Sequence, residues 1–194
     1  MEKMTKEQVI QELAKDPALD SEQVKYGAEI YENSEDMDFD KLKSITSKFN
    51  ALQLGVVSDI VTYNKTADFK IDEDILICPL FNATQMQILC EVYKNKEIMN
   101  KYPEEVKKLT DHKIPYLKLN YLTKALMAGH KNIVNYIDFD TECVYEIMAG
   151  YLDGIDADLY ADKTLSQNDM ELLRHALIIG ADIVINNGRF SINI

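Results

Sequence analysis

The chain has no tryptophan, only two arginines (Arg174 and Arg189), three scattered cysteines and no apolar run long enough to cross a bilayer. Each shortage excludes something. With so few arginines the chain lacks the planar, bidentate groups that read base edges or clamp phosphates. Cys78, Cys90 and Cys143 are odd in number and include no Cys-x-x-Cys pair, which fits a reducing compartment, and they read as small buried apolar residues. A membrane helix needs about 18 consecutive apolar residues. The opening stretch "MEKMTKEQVIQEL" is charged and helix-like rather than a secretory signal. These features lead to the expectation of a cytoplasmic protein with no membrane partner.

Catalytic signatures are also missing. There is no phosphate-binding G-x-x-x-x-G-K-[ST], no G-x-G-x-x-G, no H-E-x-x-H and no G-x-S-x-G. His112 lies in a Lys/Asp-rich loop, His130 follows a helix stop where the macrodipole favours an imidazole, and His175 stands beside Arg174 on a helix flank. Glu104–Glu105 and Asp72–Asp74 read as exposed charge. The sequence therefore predicts no catalytic residue, no metal ligand and no cofactor.

One stretch does look metal-like, the "DGIDADLYAD" of residues 153–162. An EF-hand needs oxygen ligands at positions 1, 3 and 5, glycine at 6 and glutamate at 12. Counting from Asp156, those last positions hold Tyr160, Ala161 and Gln167; counting from Asp36, Lys41 stands at 6 and Ser47 at 12. Both counts fail. Helix capping explains the aspartates instead, with Asp156 opening a short connecting helix or turn and Asp182 of "IGADIVINN" in the same slot of the next copy.

What the chain does contain is a repeat. Of its 194 residues 46% are hydrophobic and 28% charged, the composition of a folded domain with a sizeable core. "LNYLTKALMAG", "VYEIMAGYLDG" and "MELLRHALIIG" end at Gly129, Gly154 and Gly180. Counting back ten, seven, three and two residues from each glycine gives Leu119, Leu122, Leu126 and Met127; Val144, Ile147, Tyr151 and Leu152; and Met170, Leu173, Leu177 and Ile178. This is the stripe of an amphipathic helix. Four residues before each glycine the side chain is small: Ala125, Gly150 or Ala176. Weaker copies are expected to end at Gly55 and at Lys96, with Met86, Leu89, Cys90 and Tyr93 in register in the latter. Two N-terminal helices, around Lys6 to Ala14 and Glu22 to Glu32, are out of register, as degenerate end units are.

Residues 141–186 resemble the degenerate helical repeats, about 25 residues each, of poorly characterised bacterial and mobile-element proteins. The shared pattern is carried by Ile147, Gly150, Leu152, Gly154, Asp156, Tyr160, Ala161 and Asp162 in one unit, and by Met170, Leu173, Arg174, Ala176, Leu177, Gly180 and Asp182 in the next. The resemblance implies a helical repeat fold and a phage or mobile-element setting, and no reaction. The expected fold is all-α, stacked helical repeats of short helices in an α-solenoid-like array, with one short extended segment near 72–80. The expected organisation is an N-terminal helical lobe at 1–64, an irregular connector at 65–80 and a repeat lobe at 81–194.

Charge points to where a partner would bind. The net charge of −12 is uneven, because residues 93–131 hold nine lysines against four acids and the remainder 12 basic residues against 29 acidic ones. Of the chain's eleven tyrosines, Tyr93, Tyr102, Tyr116, Tyr121 and Tyr136 fall within or next to that segment, a mixture suited to stacking and pairing on an acidic partner or a nucleic-acid strand. Tyr93 and Tyr151 are expected in the helix stripe. Lys94, Lys96, Lys101, Lys107, Lys108, Lys113, Tyr116, Lys118 and Tyr121 are the candidate partner-binding residues. The expected function is a non-catalytic protein-binding module acting on a host macromolecule, with nucleic acid disfavoured except through the 93–131 segment. The alternative is an acidic inhibitor occupying the nucleic-acid groove of a host defence nuclease, of the anti-CRISPR or anti-restriction type.

Overall fold

The computed structural model describes residues 3–186 and 188–193, mostly as helix, and the chain forms two compact units, Met1–Lys96 and Glu97–Ile194.

In the first unit α1 (Lys6–Leu13), α2 (Ser21–Asn33), α3 (Phe39–Thr46), α4 (Ala51–Thr66), α5 (Glu73–Leu76) and α6 (Ala83–Lys94) follow one another. Helix starts organise it. Thr5, Asp20, Asn50 and Asn82 each accept from the backbone N–H three residues on, and Gln8, Gln23, Gln53 and Gln85 return a side-chain bond to the cap backbone. Such reciprocal caps satisfy two orphan donors and contribute about 1 kcal/mol each. Two of the glutamines also reach the next element: the Gln23 amide donates to the Phe49 carbonyl at 3.0 Å and the Gln53 amide to the Phe81 carbonyl at 2.7 Å. Phe49 and Phe81, each just before a cap, are buried, as are Leu54 and Met86 one turn inside the helices. α2 packs on α1, α3 and α4, and α4 on α6, around Leu13, Ile30, Leu42, Leu54, Ile60 and Leu89.

Several expectations for this half are corrected. Gly55 does not end a helix; it lies inside α4, because Asn50 and Gln53 cap a new helix at Ala51, and Leu52 is exposed. The segment near 72–80 expected as extended contains α5, with Asp72 accepting from the Asp74 N–H. Residues 65–80 are tied down by Asn64, whose carboxamide accepts from the Ile71 N–H at 2.7 Å and donates to the Ile71 carbonyl at 2.9 Å. Cys90 is buried as expected, while Cys78 is partly exposed.

The second unit holds α8 (Pro103–Lys108), α9 (Tyr116–Met127), α10 (Thr141–Leu152) and α11 (Gln167–Ile178), with α7 (Lys96–Lys101) running into it from the boundary. The three 12-residue helices end alike. Gly129, Gly154 and Gly180 take φ of 97°, 78° and 81°, the left-handed conformation glycine adopts without steric cost. The N–H after each glycine, of His130, Ile155 and Ala181, donates to the carbonyl of Ala125, Gly150 and Ala176 respectively, the Schellman arrangement. One register thus appears three times in the backbone.

Side-chain burial follows the register in part, and three residues before the glycine Leu126 and Tyr151 are buried while Leu177 is half-buried. The residues ten, seven and four before each glycine are all buried. Those two before it, expected in the stripe, are exposed in all three helices: Met127 at 42%, Leu152 at 52% and Ile178 at 48%. The buried arc is narrower than the apolar one.

The return segments differ. After α9 and α10 come 3-10 helices, Lys131–Tyr136 and Ala157–Leu159, and Asp156 caps the second as expected. After α11 comes a strand. β1 (Asp182–Asn186) pairs antiparallel with β2 (Arg189–Asn193), Ile183 opposite Ile192 and Ile185 opposite Phe190. This corrects both the all-α expectation and the capping role of Asp182. The cause is local: the β-branched run at 183–185 and the alternation of 189–193 suit a pleated ribbon, and Gly188 supplies the positive φ of the turn.

Candidate functional site

The predicted lysines fall in different places. Lys94 and Lys96 belong to the first unit, where the Lys94 ammonium sits 5.2 Å from the Tyr63 ring centroid. Lys101, Lys107, Lys108, Lys113, Tyr116, Lys118 and Tyr121 belong to the second, on α7, α8, α9 and the loop between the last two. α8 and α9 both pack against the 3-10 helix Lys131–Tyr136, so one support carries them.

Within this group the side chains are not equivalent. The Lys118 ammonium donates to the Ile137 carbonyl at 3.1 Å and is held down. Lys101 lies 5.1 Å from the Tyr102 ring centroid, and its bond to the Tyr102 phenol raises its pKa; that phenol in turn donates to the Gly129 carbonyl at 3.0 Å. Tyr121 is half-buried with its ring edge-on to Tyr145 at 5.3 Å. Lys107, Lys108 and Lys113 are exposed, and among the described residues none of the three forms an ion pair. Tyr116, at 46% exposure, lies at the start of α9 beside them in sequence. Tyr93 and Tyr151 are buried, as their place in the stripe predicts.

A polar cluster that the sequence reading did not single out joins the segments that follow α9 and α10. Asp158 accepts from the Tyr136 phenol at 2.5 Å, from the Tyr151 phenol and from the Asn132 amide at 2.9 Å. The His130 ring stacks on Tyr151 with centroids 4.8 Å apart. Burial works against the Asp158 charge, but these three donors outweigh it and hold the carboxyl below its ordinary range. Burial first, and the bond to Asp158 second, push Tyr136 up to about 12 and raise Tyr151 as well. Protonated phenols around an occupied carboxylate form a tie between two return segments and α10.

The pH dependence follows from those directions. Asp158 contributes stability above its unfolded value near 3.9, and that contribution is lost as pH falls through its lower folded value. Tyr136 contributes below about 10 and its share is lost as pH rises from there toward about 12. Urea midpoints are therefore expected to fall at both extremes, and Asp158→Asn is expected to flatten the acid limb. An unchanged acid limb in that variant would remove Asp158 from the account.

A second cluster joins α10 to α11. Glu146, 2% exposed, accepts from the Gln167 amide at 3.1 Å and from Arg174 Nε at 3.1 Å, and Arg174 Nη1 also donates to Asp153 at 2.8 Å. Among the described residues no group of His, Cys, Asp and Glu is arranged to hold a metal ion, and no helix is long and apolar enough to cross a membrane. Comparison of the chain with protein-family models, with curated proteins and with solved structures finds no match in any of the three.

Proposed function

We propose that this chain is a non-catalytic binding module whose second unit, a short stack of helical repeats of the kind carried by bacterial and mobile-element proteins, engages an acidic surface on another protein. The carrying observation is the set Lys107, Lys108 and Lys113, exposed and, among the described residues, outside any ion pair, with the exposed Tyr116 three residues beyond Lys113 in the chain. An ammonium with no internal partner keeps its full attraction for an external carboxylate, and an exposed phenol adds contact area at small entropic cost. Stacked repeats hold such groups on a firm support, here through α8, α9 and the 3-10 helix between α9 and α10. The setting is the cytoplasm of a bacterial host.

The test is a nuclease-treated affinity capture from bacterial lysate, with bound proteins identified and each then titrated against purified wild-type and K107E/K108E/K113E chains. The triple variant is expected to lose about tenfold or more in affinity, and the wild-type affinity to weaken as salt rises. Equal binding by both chains would sink the lysine surface as the site.

A second reading rests on a different observation. Residues 132–194 carry eleven acidic side chains against Lys163, Arg174 and Arg189. Apart from Glu146, which is buried against Arg174, this excess of acids would let the protein act as an inhibitor occupying the nucleic-acid groove of a host defence nuclease. In that case the captured partner is a nucleic-acid enzyme, it keeps binding the triple lysine variant, and DNA competes with the protein for it.

A further inference from the structure

Three neighbouring helices leave the same face uncovered. α10 packs against both α9 and α11, and the helix position two residues before each terminal glycine is apolar and exposed on all three, in Met127, Leu152 and Ile178. Seven residues earlier on α10, on the same face of that helix, Tyr145 is 43% exposed, and Leu117 on α9 is 44% exposed. Isolated exposed leucines are ordinary, but an apolar position repeated across adjacent helices makes a row, and rows of this kind mark interaction surfaces.

Charge says what covers it. On this face α9 contributes Lys124 and no acid, α10 contributes Glu142, and α11 contributes Glu171 as its carboxylate together with the imidazole of His175. One edge is basic and the opposite edge acidic, with the apolar row between them. A surface so arranged is complementary to itself, because a two-fold axis along α10 places the basic α9 edge of one copy over the acidic α11 edge of another. We propose that the outer face of α9, α10 and α11 joins two copies of this chain into a closed dimer. Leu152, on the middle helix, meets its own counterpart across the axis, and Lys124 meets Glu171 of the second copy at both ends. The contacts that the dimer rests on, Lys124, Leu152 and Glu171, include none of Lys107, Lys108, Lys113 and Tyr116 of the lysine surface proposed above.

Sedimentation velocity of the full chain over a concentration series tests this. The mass is expected to move from one chain to two as concentration rises. Leu152→Asp is expected to weaken the association by at least about thirtyfold, with an unchanged melting curve because the side chain is already half exposed. Lys124→Glu and Glu171→Lys should each weaken it by up to about fivefold, and the K124E/E171K double variant should recover most of that loss by restoring opposite charges. A single-chain mass at every concentration, an assembly larger than two, a dimer indifferent to L152D, or a double variant no better than the singles would each overturn the proposal.

Discussion

Alanine at Gly150 is expected to destabilise the second unit by about 3 kcal/mol, the sum of an overpacked contact and a disrupted buried hydrogen bond. Gly150 stands two residues before the end of α10 and four before Gly154, where the ring of Tyr160 lies against the helix. Tyr160 is 0% exposed and its hydroxyl donates to the Glu146 carbonyl at 2.8 Å. A Cβ at Gly150 would fall well inside contact with that hydroxyl oxygen and 3.0 Å from Tyr160 Cζ. The ring cannot retreat without leaving the Glu146 carbonyl and opening a void. Urea unfolding followed by circular dichroism measures the loss. Tyr160→Phe alone should cost about 1 kcal/mol, and the G150A/Y160F double variant should cost less than the two singles added, since the phenol makes the closest contact. Strict additivity would show that the hydroxyl is not what glycine accommodates. The equivalent positions in α9 and α11 are alanines, Ala125 and Ala176, whose return segments supply no tyrosine at the position of Tyr160.

Replacing Arg174 by methionine is expected to cost about 3–5 kcal/mol, the larger of the two effects on a single side chain. The guanidinium is what compensates Glu146, a carboxylate 2% exposed between α10 and α11, and only the Gln167 amide would remain to it. Asp153, the other partner, is 44% exposed, so Asp153→Asn should cost under about 1 kcal/mol. The instructive control is E146L/R174M. Removing both charges leaves no orphan in the interface, and stability should return to within about 1–2 kcal/mol of the parent. If the double variant is no more stable than R174M, the loss comes from packing of the arginine stem rather than from the stranded carboxylate.

These two sites also show how far sequence reading reached. The repeat register at Gly129, Gly154 and Gly180 was legible because a helix stop is written in one residue and its neighbours within five positions, and three copies repeat it. The first unit carries a comparable signal that a search aligned on glycines passes over: a cap followed by glutamine three residues on, at Asp20, Asn50 and Asn82, preceded by Leu19, Phe49 and Phe81. A search aligned on caps would have found those helix starts and placed Gly55 inside α4. The strand at 182–186 was readable from its β-branched run; the repeat pattern, extended one unit too far, hid it. The Asp158 cluster had no such signal. Its donors lie 7 and 22 residues away for Tyr151 and Tyr136, at spacings no local rule singles out.

The amino-acid order by itself determined where helices start and stop, because capping and left-handed termination are settled by groups within a turn of one another. It also determined the partition of charge, which no fold can alter. Only the tertiary structure decided which part of each apolar stripe is covered, leaving Met127, Leu152 and Ile178 in solvent while, one position earlier, Leu126 and Tyr151 are buried and Leu177 is half-buried. It alone supplied the partners of Glu146, Asp158 and Tyr160. Burial and pairing depend on what a neighbouring element brings to a surface, and that neighbour lies a whole repeat away along the chain.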